Sequence, residues 1–191
     1  MIIKPLTPKQ IKQVYQNHMK QDFPPTELRT LKSIQSLHRQ GLYECFGYFD
    51  EGLDLVAYAF CAKSIQHSLI LLDYYAVIST KRQNGIGSQF LQALKPYLEA
   101  DGILIEVETP EATVSKEENK IRSRRIAFYE RNGAHLTAVG GNVFGVHFTV
   151  MYLPLQQQLP DEELLSSIQQ LYRQMVPASL FKLFVHYQLL K

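Results

Sequence analysis

Apolar positions along the chain change period in an order that predicts alternating strands and helices. Residues 2–5 are a short apolar run, and residues 8–20 then place Ile11, Val14 and Tyr15 on one helical face. Pro24-Pro25 breaks the chain. Residues 26–40 carry Leu28, Leu31, Ile34 and Leu37 at three-residue intervals, which predicts a second helix ending at Gly41. Residues 42–49 and 55–63 are strand-like runs joined by the hairpin-type connection 50–54, and residues 69–78 form a long apolar strand. After a glycine-bearing loop, Phe90, Leu91, Leu94, Tyr97 and Leu98 share a helical face, with Pro96 expected to tighten the last turn. Residues 103–108 follow as a strand, and a strand, crossover helix and strand in succession imply a parallel pair within a mixed sheet.

The second half is more polar at first. Glu117 and Glu118 suit the opening turn of a helix that runs through Tyr129 and stops at Asn132-Gly133. Residues 135–139 and 147–155 then read as a closing antiparallel pair around Gly140-Gly141. Beyond them, residues 161–175 align Leu164, Leu165, Ile168, Leu171 and Tyr172 on one stripe, and residues 178–190 form a more apolar segment set off by Pro177. The expected organisation is one domain over residues 1–155 with a C-terminal helical extension, 156–191, packed on it.

The loop Arg82-Gln83-Asn84-Gly85-Ile86-Gly87-Ser88 carries the first chemical signal. Its position between a strand and a helix start suits an anion, because the first N–H groups of a helix lack intrahelical partners and the dipole favours negative charge. Two glycines let the backbone come close to a phosphate. The loop has neither the Gly-Lys-Ser/Thr ending of an ATP-type P-loop nor the three spaced glycines of a dinucleotide fingerprint.

Arg82-x-x-Gly85-x-Gly87, five residues after Val77, resembles the Q/R-x-x-G-x-G/A acetyl-CoA motif of the GNAT N-acetyltransferases. The run Ile126-Ala127-Phe128-Tyr129-Glu130-Arg131-Asn132-Gly133 is similar to the later family helix that ends in a tyrosine and a glycine before the next strand. The resemblance covers residues 1 to about 155. It implies an α/β fold: a mixed, mostly antiparallel sheet whose central parallel pair splays at the acetyl-CoA site, flanked by helices. It also implies transfer of an acetyl group from acetyl-CoA to a primary amine.

Composition is compatible with such an enzyme. Hydrophobic residues at 46% and charged residues at 20% are ordinary globular usage, which argues against disorder. Twenty basic against 18 acidic residues leave a net charge of +2, too small a bias to make nucleic acid the main partner. No apolar run approaches the roughly 18 residues of a membrane span, and Met1-Ile2-Ile3-Lys4-Pro5 lacks a signal-peptide core, so a cytoplasmic location without membrane association is expected. Cys45 and Cys61 sit in apolar runs without metal-like spacing, and the six histidines are scattered, so no metal is expected. The apolar tail, residues 160–190, suggests either cover for the core or a homodimer contact.

Roles follow from what the reaction needs and what the resemblance implies. Tyr75 N–H would polarise the thioester carbonyl, Ala76 and Val77 would hold the pantetheine arm, and the amides from Gln83 through Ser88, Ile86 included, would take the pyrophosphate. Arg82 would close the loop or contact phosphate. Tyr129 aligns with the family tyrosine near the sulfur, a proton donor to the departing thiolate. For the amine, Asp73 shares a strand face with Tyr75 and Val77, and Glu106 and Glu108 share another; Glu106 and Asp73 rank first, as base or as anchor for the substrate's charge. The family asparagine about seven residues before the tyrosine is replaced by Arg122, which with Arg124 and Arg125 could approach the phosphates. Residues 23–27 and 141–147 would wall the acceptor site, whose amine the sequence does not select. Cys45 and Cys61 lack the setting of an acyl-carrying nucleophile, which points to direct transfer in a ternary complex. The alternative is a catalytically weak acyl-CoA-binding module or sensor.

Overall fold

The computed structural model describes residues 1–64, 68–82, 85–111 and 114–190. The chain divides into two units, the first made of Met1–Lys63 and Leu72–Leu98, the second of Ser64–Leu71 and Glu99–Lys191. Strand β4 (Leu69–Val77) contributes Leu69–Leu71 to the second unit and its remaining residues to the first.

In the first unit, β1 (Ile2–Pro5), β2 (Tyr43–Phe49), β3 (Leu55–Lys63) and β4 neighbour one another in that order, with β1·β2 and β2·β3 antiparallel. Helix α1 (Pro8–Val14) begins at a capping box in which Thr7 and Gln10 satisfy each other's backbone, and Pro8 sits where no N–H is needed. The predicted continuous helix over 8–20 is instead α1, a π-helical turn at Tyr15–Met19, and the short α2 (Lys20–Asp22). The second predicted helix starts later than expected. α3 (Leu31–Arg39) opens at Thr30, whose hydroxyl accepts from Ser33 N at 3.2 Å. Residues before it are drawn elsewhere: Arg29 N–H donates to the Tyr74 hydroxyl at 2.8 Å rather than to a helical carbonyl. Helix α4 (Ile86–Leu94) passes into a 3-10 turn at Lys95–Tyr97, the tightening expected from Pro96. Its inward residues Phe90, Leu91 and Leu94 are fully buried.

In the second unit the order is β4, β5 (Gly102–Val107), β7 (Val146–Pro154), β6 (His135–Val143) and β8 (Val185–Leu189). The predicted parallel pair is present, Leu69–Leu71 running beside Gly102–Leu104, and the other pairings are antiparallel. Helix α5 (Lys116–Arg131) is capped by the Ser115 side chain on Glu118 N and ends as Gly133, at φ 97°, lets Ala134 N–H return to Tyr129 O.

Two expectations for the C-terminal part are corrected. Gly140-Gly141 does not turn the chain; both residues lie within β6, and the turn falls at Phe144 and Gly145, where Asn142 Oδ1 accepts from Gly145 N at 3.0 Å. The extension is not wholly helical. After α6 (Asp161–Met175), α7 (Ala178–Phe184) stops and residues 185–189 become β8, pairing with β6 from Val139 to Val143. The glycines explain the register: a Cβ at Gly140 would meet Leu190, and one at Gly141 would overlap the Tyr187 ring. Thr30→Ala should cost about 1 kcal/mol through loss of the α3 cap, read as a lower denaturation midpoint with an unchanged slope.

Candidate functional site

In the first unit, β4 and the start of α4 are tied together by one side chain. The Tyr75 hydroxyl donates to Gly87 O at 2.5 Å, and its ring stacks on Phe90 at 5.1 Å and 14°. Phe90 in turn stacks on Tyr48 at 5.0 Å and 16°. Between strand and helix, Gly85 takes φ 73°, a left-handed conformation that a side chain would strain. Ile86, Gly87 and Ser88 form the first turn. Gln83 and Asn84 lie outside the described residues.

Arg82 closes the segment that precedes this turn. Its Nε donates to Val77 O at 3.2 Å and a terminal nitrogen meets Asp22 Oδ1 at 2.9 Å. Asp22 also accepts from the Tyr58 hydroxyl at 2.8 Å, so a shielded carboxylate gathers α2, β3 and Arg82. Burial pushes the Tyr58 phenol up, and the bond to Asp22 adds to it.

Asp73 is committed to structural partners. Its Oδ2 accepts from Arg29 Nε at 2.8 Å and from the Tyr43 hydroxyl, with side-chain exposures of 10% for Asp73 and 15% for Arg29. Burial raises the Tyr43 phenol, and the Asp73 charge raises it further. Next to it, the Tyr74 hydroxyl donates to Glu27 O at 2.8 Å while its ring meets Phe23 edge-on at 4.9 Å. These contacts engage residues 23, 27 and 29, the first two within the segment 23–27 expected to wall the acceptor site.

The second unit holds Glu106, Glu108 and Tyr129. Glu106 Oε2 accepts from the Tyr172 hydroxyl at 2.8 Å and Oε1 accepts from the Tyr187 hydroxyl. Neither tyrosine is recoverable from motif spacing, since one comes from α6 and the other from β8. Glu108 is paired with Arg122 at 2.6 Å, and Arg125 stands 3.8 Å away. Arg122 also donates to Thr109 O at 2.9 Å, so its guanidinium, suggested for phosphate, is engaged by Glu108 and backbone. Tyr129 is buried against Phe128, rings 5.0 Å apart, and burial pushes its phenol up to about 12, slightly offset by Arg125. Glu106 and Tyr129 are thus held by different neighbours. Cys45 and Cys61 are buried, and burial raises both thiols, so neither is a ready nucleophile. Among the described residues no helix is long and apolar enough to cross a membrane.

No protein-family model matches the chain, and no curated protein matches its sequence. Solved structures do match its fold. A protein from Bacteroides thetaiotaomicron assigned to the GNAT acetyltransferases superposes with a TM-score of 0.69 at 22% identity, over 88% of this chain and 93% of that one. The ribosomal-protein-S18-alanine N-acetyltransferase of Escherichia coli gives 0.60 at 20% identity, covering 83% and 96%. The spermidine N-acetyltransferase of Vibrio cholerae, in complex with CoA and spermine, gives 0.59 at 11% identity, covering 80% and 94%. The chain therefore has the GNAT N-acetyltransferase fold, as the two sequence motifs implied.

Asp73→Asn should destabilise the protein by about 3 kcal/mol, because a shielded guanidinium loses its counter-charge. Chemical denaturation measures this. An acid kept only for chemistry would leave stability unchanged.

Proposed function

We propose that the protein is an acetyl-CoA-dependent N-acetyltransferase that passes the acetyl group directly to a primary amine. The observation that carries this reading is the β4–α4 turn, where left-handed Gly85 opens the helix and the Tyr75 hydroxyl on Gly87 O holds its first turn against β4. In a GNAT fold that turn suits a pyrophosphate, held by the amides of Ile86, Gly87 and Ser88 together with the expected Gln83, Asn84 and Gly85. Acetyl-CoA would supply the activated thioester. The Tyr75 N–H would polarise its carbonyl, and the Ala76 and Val77 backbone would hold the arm. Arg82 keeps the loop closed through Val77 O and Asp22.

In the transfer, the amine nitrogen bonds to the acetyl carbon, the carbon–sulfur bond breaks, one proton leaves the amine and one ends on sulfur. Tyr129 is assigned to the sulfur side. Its phenol, near 12, is a weaker acid than a thiol at about 8.5, so it stabilises the leaving thiolate by hydrogen bonding more than by complete protonation. The buried thiols of Cys45 and Cys61 favour direct transfer over an acyl-enzyme. Asp73 and Glu108 sit in ion pairs with Arg29 and Arg122, and Glu106, held by the Tyr172 and Tyr187 hydroxyls, is the acid assigned to the amine side.

Release of free thiol from acetyl-CoA against a polyamine, an N-terminal alanine peptide and an aminoglycoside tests the reading. Turnover on at least one amine supports it; CoA binding without turnover on any primary amine leaves a binding module. Gly87→Trp should weaken CoA binding by at least about ten-fold in a folded protein, measured by calorimetry. Tyr129→Phe should lower kcat by about 100-fold or less while acetyl-CoA affinity holds, since water replaces part of one hydrogen-bond donor.

A further inference from the structure

We infer that Tyr172 and Tyr187 are positioning residues that aim the Glu106 carboxylate and favour its charged form, making Glu106 the fixed anion that receives the positive charge of the acceptor amine. This rests on the acetyl-transfer reading above. Each carboxylate oxygen takes one phenol: Tyr172 donates to Oε2 at 2.8 Å and Tyr187 to Oε1. Rotation of the carboxylate would break both bonds at once. Protonation would remove acceptor capacity from one of them, so the pair favours the anion over the acid.

The hydroxyls are not needed for packing. Tyr172 and Tyr187 are 3% and 8% exposed, and their rings lie 5.6 Å apart at 41°, a volume that phenylalanines would fill equally. Gly141 stands opposite Tyr187 in the β6·β8 register, and a Cβ there would overlap the Tyr187 ring carbons. The glycine is what lets this tyrosine lie across β6. Two donors on one carboxylate are the wrong setting for a general base, which must take a proton near neutral pH, and the right one for an electrostatic anchor. Glu108, just past the end of β5, is paired with Arg122 and lies 3.8 Å from Arg125 on α5, while β7 places Val150 opposite Glu106.

Two readouts test the inference in the full-length protein. The Glu106 side-chain carboxyl, followed by NMR in carbon-13-labelled protein and assigned with Glu106→Gln, should titrate roughly one pH unit higher in Tyr187→Phe than in the wild type. With spermidine as the amine probe, Tyr187→Phe and Tyr172→Phe should each raise KM by roughly ten-fold, leave kcat within about two-fold, and move the acid limb of kcat/KM upward in pH. Gly141→Ala, which displaces the Tyr187 ring, should reproduce the KM effect. A Glu106 midpoint and spermidine KM unchanged in Tyr187→Phe, with only thermal stability lowered, would overturn the inference. A wild type that transfers no acetyl group, yet shows the shifted Glu106 titration and loses calorimetric spermidine binding in Glu106→Gln, would overturn the transfer reading and leave the anchor standing.

Discussion

The bond from the Tyr75 hydroxyl to Gly87 O, backed by the Tyr75–Phe90–Tyr48 stack, is the constraint around which the first unit is organised. A strand end and a helix start are separated in sequence by a loop with little apolar content, which Arg82 closes on Val77 O. The Tyr75 phenol adds a tie from the strand to a carbonyl in the first turn of α4, while its ring continues a stack of aromatic faces. In this stack Phe90 is confined on both faces. The helix N-terminus is thereby held beside the last residues of β4.

The carboxylates show how one residue type takes three physical roles. Asp73 faces a guanidinium and a phenol and serves mainly to hold residues 23–29 against β4. Glu108 is matched by Arg122, a salt bridge shielded enough that its geometry counts for more than an exposed pair would. Glu106 instead meets two phenol donors that can orient it without donating a full charge of their own. The C-terminal segment, which looked like cover for a finished core, supplies those donors through α6 and β8.

Much of the fold was legible because it is encoded locally. The amphipathic stripes of α3, α4 and α6, the apolar runs of β3 and β4, and the glycine stop after α5 are properties of a few neighbouring residues. So are the two motifs, whose spacing implied the fold found in the structure. Boundaries failed where a distant group outbid the local one. Helix α3 does not begin at residue 26 because Tyr74, far along the chain, takes the Arg29 N–H that a helix would have used. Gly140-Gly141 looked like a turn because glycine permits one, but here it makes room for Leu190 and Tyr187.

The sequence by itself determined the order of elements, the glycine-bearing loop before α4 and the acids that could serve an amine, since these depend on periodicity, backbone freedom and residue type. Only the tertiary structure decided which acid kept which partner. Arg29, Arg122, Tyr172 and Tyr187 reach their carboxylates from separate elements, two of them from the tail, and no spacing rule links them. It also turned residues 185–189 from an expected helix into an edge strand, because β6 offered a row of unpaired backbone groups and two glycines over which that strand could lie.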